Sequence, residues 1–321
     1  MAQHFLLSAA ARTLSLKAIY AMGEDKAYDL FCNLRWSATK GEPVCPECGG
    51  LKNYKITTRR RFKCAACGTQ FSVTSGTILA SRKMSFTDLL AAICIIVNGA
   101  KGVAALQLAR DLDCQHKTAF VLSHKIREAL ASEMKGASLF GEVEIDGAYF
   151  GGHVRPANHK DARKDRRLSE NRSDKRRVVV TMRERQGRTL TGVFKSEDQS
   201  LPMIQERVRA GSLILADEAS SWDGLHAWYT AKRINHSLAF SDNGACTNQA
   251  ESFFSRLRRM IGGQHHKVSG QYLHQYAAHA AWLEDHRRDD NGALAHRALG
   301  LALGHTVSRN WKGYWQRGAC E

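Results

Sequence analysis

Residues 144–152 read EIDGAYFGG, and the fold turns on how this stretch is read. With Val143 before it, the run Val143–Phe150 is rich enough in apolar residues for a strand, and Gly151-Gly152 ends it. Asp146 stands at the centre of that strand. A charged residue inside an apolar strand needs a partner, a metal or a solvent cleft.

Working downstream, 177–182 (RVVVTM) and 189–195 (TLTGVFK) alternate as a hairpin around Gln186-Gly187. A helix over 201–210 then leads to a strand over 212–216, and a helix over 221–231 to a strand over 235–240. Long helices are expected at 247–261 and 270–287. The order β-β-β-α-β-α-β-α predicts an α/β domain over 140–290, a mixed sheet with helices around it. Residues 153–177 interrupt it with ten Lys/Arg against four Asp/Glu, a net +6. That composition is a solvated loop suited to tracking phosphates, with Arg163, Lys164, Arg166 and Arg167 as its candidate contacts.

Two more carboxylates fall at telling places. Asp217 ends the strand SLILAD, and Glu251 lies on the helix that starts near Thr247. Two strands and a helix can bring Asp146, Asp217 and Glu251 to one edge of the sheet. Such a cluster repels itself unless divalent cations neutralise it, and an all-oxygen set suits Mg²⁺ or Mn²⁺. Two ions about 4 Å apart can activate water and stabilise the leaving oxygen of a phosphodiester. Arg258, seven residues after Glu251, shares its edge of the apolar stripe Phe253, Phe254, Leu257 and Ile261. Asn248, one turn earlier, is open as an orienting group, a DNA contact or an alternative third ligand.

Upstream, Cys45-Pro-Glu-Cys48-Gly and Cys64-Ala-Ala-Cys67-Gly form two C-x2-C pairs fifteen residues apart. This is the spacing of a structural zinc ribbon, placed at 43–80, with four thiolates and no open position for water. Over 81–135, helices at 103–111 and 115–131 joined by a three-residue turn suggest a helix-turn-helix-like DNA-binding region, with a plain helical bundle as the alternative. Leu106, Ala109, Leu112, Ala119, Leu122 and Ile126 would face inward. Gln115, His116, Lys117, His124 and Arg127 would face out, with Lys117 and Arg127 as DNA contacts. Residues 1–42 read as a helical segment and 291–321 as a C-terminal tail.

The charge suits nucleic acid or an anionic membrane surface: 47 Lys+Arg minus 31 Asp+Glu gives +16. No window approaches the roughly 18 consecutive apolar residues of a membrane span. The N-terminal apolar stretch has no Lys or Arg before it, as a secretory signal would. A cytoplasmic, nucleoid-associated protein is the expectation.

In CPECG…CAACG, EIDGAYFGG, ILADEASSWDGLH, INHS, TNQAESFFSRLRR and HHKVSGQYL…YAAHAAWLEDHRR, the chain resembles the DDE transposases of bacterial insertion sequences, in particular the zinc-ribbon-bearing ISXO-like group. The resemblance spans residues 30–290. It implies an RNase H-like catalytic domain with Asp146, Asp217 and Glu251 as metal ligands, and a basic residue seven positions after the glutamate, here Arg258. It also implies a homo-oligomer acting on double-stranded element ends and target DNA. Two other functions fit the same residues: a non-enzymatic zinc-ribbon/helix-turn-helix regulator, and an RNase H-like nuclease that cuts without joining.

Overall fold

The computed structural model describes residues 5–165, 168–171, 173–234 and 246–317. They form two compact units, one of residues up to Glu133 together with those from His286 onward, the other Met134–Asp285.

In the first unit, α1 (Leu16–Arg35) opens at Ser15, whose hydroxyl accepts the Ala18 amide at 3.1 Å, and is broken at Gly23. Three short antiparallel strands follow, β1 (Asn53–Ile56), β2 (Arg61–Cys64) and β3 (Gln70–Phe71). They carry a small aromatic core: the Trp36 ring lies 5.6 Å from that of Phe62 and 6.3 Å from that of Phe71. Next comes α2 (Phe86–Asn98), buried on nearly every side as its apolar sequence requires. The helix pair α3 (Ala105–Asp111) and α4 (His116–Ser132) completes this part, close to the expected bounds.

The second unit is built on a five-stranded sheet. Its strands are β4 (Glu142–Phe150), β5 (Arg177–Glu184), β6 (Thr189–Phe194), β7 (Leu213–Asp217) and β8 (Thr230–Ile234), with α5 (Leu201–Arg207) between β6 and β7. Spatial order is β6-β5-β4-β7-β8. The first three strands pair antiparallel and β4-β7-β8 pair parallel, so the sheet is mixed and β4 is central. One face packs Val143, Ile145, Val180, Ile214 and Ala216 against Ile204 and Trp222. The opposite face packs Ala148 and Val179 against α6 (Asn248–Met260) and α7 (Leu273–Asp285) through Phe253, Phe254, Leu257 and Ala277. The helix expected over 221–231 is instead a 3-10 stretch, Ser220–Ala227, and β8 begins at Thr230. The polar TAKRI of β8 carries no apolar alternation to mark it; the expected strand 235–240 lies outside the described residues.

The chain then returns to the first unit. The C-terminal stretch, expected as a tail, holds α8 (Asn291–Gly304), capped by Asp290 and packed against α1, α2 and α4 through Ala295, Ala298, Leu299 and Leu303. The short α9 (Tyr314–Arg317) follows. This overturns part of the helix-turn-helix reading. With α8 and Trp311 against α4, His124 and Arg127 are buried, only 1% and 2% exposed, and Arg127 is unavailable to DNA. Leu106, expected inward, is 52% exposed. Lys117, His116 and Gln115 are exposed as expected. No described helix is long and apolar enough to cross a membrane.

Candidate active site

The parallel pairing of β4 with β7 matches Glu142 to Leu213 and ends with Ile145 opposite Ala216. The next rung places Asp146 beside Asp217. Neighbours in parallel register point to the same side, so both carboxylates face the side that α6 covers. That side is fixed by the alternation: Val143 and Ile145 pack on the opposite face, while Ala148 packs against α6.

Glu251 is exposed in the first turn of α6. The helix is seated by its apolar stripe and by a residue the sequence reading passed over. Glu144, two residues before Asp146 on the same face, is fully buried. Its Oε2 accepts the backbone amides of Gln249 at 2.8 Å and Ala250 at 3.0 Å, and its Oε1 accepts Nε of Arg185 at 3.1 Å. A carboxylate thus satisfies the orphan N–H groups of the helix N-terminus, where the dipole favours negative charge. Arg185 also pairs with Glu142. Strand β4 therefore carries Asp146 and anchors the helix that carries Glu251.

A fourth carboxylate was also missed. Glu197, half-buried between β6 and α5, lies over Gly147: a Cβ on that glycine would sit 2.6 Å from Glu197 Oε1. Its Oε2 accepts the Ser221 hydroxyl at 3.0 Å. A side chain at position 147 would have to displace the Glu197 carboxylate. On the β7 side, Arg233 donates Nε to the Asp217 carbonyl at 2.9 Å and pairs with Asp223, holding the turn after the strand.

Electrostatics tie the acids together. The Asp146 carboxyl is pushed up to about 6, mainly by burial and then by the charges of Asp217, Glu251 and Glu197, against a 2.7 Å bond from the Gly147 amide. Burial, then Asp217, likewise raises Glu197. A set of carboxylates with like-charge repulsion is chemically suited to hard divalent cations. The carboxylates are not drawn as tightly as the cysteines. Among the described residues, the one group of three or more possible ligands within 4.8 Å of one another is Cys45, Cys48, Cys64 and Cys67.

That cysteine group fits zinc. The Cys45 and Cys67 sulfurs are 3.6 Å apart and those of Cys48 and Cys64 are 3.5 Å apart. A tetrahedron with Zn–S of about 2.3 Å has edges of about 3.8 Å. Gly49 and Gly68, one after each pair, take positive φ of 72° and 74°, letting the chain fold back around the sulfurs. Bonds from the Thr69 hydroxyl and amide bring the Cys67 thiol down to about 6, while Cys48, against a bond from the Gly50 amide, is pushed up to about 12 by the neighbouring thiols of Cys67, Cys64 and Cys45, so the four sulfurs share charge poorly without a cation.

The remaining candidates are dispersed. Arg258 is exposed, its guanidinium 5.9 Å from the Phe254 ring, and Asn248 is exposed at the first position of α6. Arg163 and Lys164 are exposed in the basic loop, although Arg163 also donates to the Ala157 and Asn158 carbonyls. Arg166 and Arg167 lie outside the described residues.

A five-stranded mixed sheet of this order, with Asp146 in the middle of β4 and Asp217 at the end of β7, is an RNase H-like fold. Residues 138–285 match the ISXO2-like transposase domain, and residues 22–70 match the transposase zinc-ribbon domain. The two domains together place the chain in this zinc-ribbon-bearing group of DDE transposases. No curated protein matches it.

Proposed function

We propose that the protein binds the double-stranded ends of its element, hydrolyses a phosphodiester to free a 3′-OH and directs that hydroxyl at target DNA. The observation that carries this reading is the adjacency of Asp146 and Asp217 on parallel strands, with Glu251 on a helix tied to the same strand. These three would hold Mg²⁺ or Mn²⁺, which when bound supplies water activation and stabilisation of the leaving oxygen.

The protein's own contribution is position and charge. Glu144 sets the height of α6, and Ser221 sets the Glu197 carboxylate over Gly147. Arg258, two turns beyond Glu251, is placed to meet a phosphate beside the acids, and Asn248 to orient Glu251 or contact DNA. The basic loop and Lys117 track further phosphates. Cys45, Cys48, Cys64 and Cys67 hold a structural zinc in the ribbon. The domain order proposed is 1–42 helical, 43–80 ribbon, 81–135 helix-turn-helix-like and 140–290 catalytic, with 291–321 completing the helical region. The working form is a homo-oligomer on paired ends, in the cytoplasm at the nucleoid.

Metal-dependent assays with labelled element-end DNA test the reading. Wild-type protein should cut and join, whereas Asp146→Asn, Asp217→Asn and Glu251→Gln should bind DNA and do neither. Cutting without joining would make the protein a nuclease. If the Glu251 variant stayed active while Asn248→Ala was dead, the third ligand would pass to Asn248.

A further inference from the structure

Between α4, the loop before α2 and the segment around α9 lies a cleft of about 400 Å³. Its lining includes Arg82, Lys83, Lys117 and Lys125 and no acidic side chain. Glu24 acts on Arg82 and Glu128 on Lys125 from outside the lining, but a lining with four cations and no carboxylate of its own favours an anionic occupant. Burial lowers the Lys125 ammonium pKa, with Glu128 opposing, so part of this charge is held at a solvation cost that a bound anion would relieve.

The other wall is aromatic. Trp315 is 45% exposed, packs edge-on against Tyr314 with ring centroids 5.1 Å apart, and has the Lys117 ammonium 5.3 Å from its ring. The segment that presents it is anchored to α4. The buried Trp311 ring stacks on His124 at 4.2 Å, and Ser308 bonds Glu128 at 2.8 Å while capping the Trp311 amide. The occupant must therefore combine negative charge with a flat face. Paired duplex DNA shows phosphates on its outside and keeps its base faces stacked within, so it satisfies only the cations.

We infer that this cleft binds an unpaired nucleotide of a DNA strand, its base stacked on Trp315 and its phosphates held by Lys117, Lys125 and Lys83. Such a site would take hold of a frayed or cut strand end, a role separate from the carboxylate site and independent of how that site works. Combining base–aromatic stacking with a cationic track is the general chemistry of single-strand recognition.

Anisotropy titrations of the full, zinc-loaded chain test this with a thymidine 12-mer single strand and a blunt 12-base-pair duplex. Trp315→Ala should weaken single-strand binding about tenfold, the scale of one lost base–aromatic stack, and change duplex binding less than about twofold. Trp315→Phe should restore most of the single-strand affinity. Lys117→Ala should lower the single-strand salt slope by about one. Should the alanine variant fail to fold, as judged by circular dichroism and zinc content, Trp315→Leu takes its place in the comparison with Trp315→Phe. Unchanged single-strand binding in a folded variant, or an equal loss for single strand and duplex, overturns the inference.

Discussion

The buried carboxylate of Glu144 accepts the Ala250 amide at 3.0 Å, so the strand bearing Asp146 directly caps the helix bearing Glu251. Replacing Glu144 by Ala leaves the Gln249 and Ala250 amides without this acceptor and Arg185 without its buried partner. Truncating one member of such a pair costs about 2–4 kcal/mol, because what remains is buried polar surface. Chemical denaturation should show that loss. At temperatures where the variant is folded, cleavage should fall about 10- to 100-fold, as for groups that orient metal ligands, with duplex affinity nearly unchanged. Undiminished cleavage would mean α6 is seated by its apolar stripe alone.

Asp146 makes the metal-free protein's stability depend on pH. Its folded pKa of about 6 lies above the ordinary 3.8, so folding favours the protonated form. The fold loses stability as pH rises through the window from 3.8 to about 6 and regains none above it. At about 1.4 kcal/mol per unit, the ionised carboxylate destabilises the fold by about 2–3 kcal/mol at neutral pH. Asp146→Asn should therefore be more stable than wild type at pH about 7.5 in chelator, with the gap closing near pH 4. Equal unfolding midpoints at both pH values would show that the acids impose no such strain.

Zinc removal should loosen the ribbon rather than unfold the whole first unit. Metal supplies much of the stability of so small a module. Here, however, Trp36, Phe62 and Phe71 add an aromatic core whose contacts do not run through the sulfurs. Elemental analysis should find about one zinc per chain, and serine at Cys45, Cys48, Cys64 or Cys67 should abolish it and weaken end binding. The far-ultraviolet signal of α2 and α8 should persist. Natively purified protein without zinc would refute the assignment.

How much of this was legible depends on whether a residue's role is local. The cysteine pairs, the strand ending at Gly151, an acid inside an apolar strand and another at a strand end announce themselves by spacing and contrast. Glu144 does not, because a charge in an alternating strand looks the same whether it faces solvent or caps a helix over a hundred residues away in sequence. The signal available was a second acid at i−2 from Asp146, on the same face. Glu197 is similarly hidden, marked only by the glycine it overhangs. The Ala- and Leu-rich α8 was the costlier omission. Read as a tail, it left the His124–Arg127 face of α4 free, whereas its packing in the first unit buries that face.

The basic loop and Arg258 should act on phosphates rather than on base identity. Residues 153–177 hold ten cations and almost no large apolar residue, a composition that meets phosphates whatever the base, and the described Arg163 and Lys164 are exposed. Neutralising Arg163, Lys164, Arg166 and Arg167 together should weaken binding to element-end and scrambled duplexes alike. Each lost phosphate contact should flatten the salt dependence by about one unit of slope, so the quadruple variant should lose up to about four. Because Arg163 also bonds two carbonyls of its own loop, its share should be the smallest. Arg258→Ala should behave differently: it sits on the helix of Glu251, so cleavage should fall further than affinity as the scissile phosphate loses its place. Binding measured at several salt concentrations on both duplexes decides the loop's role. A loss confined to the element end would make it a sequence reader.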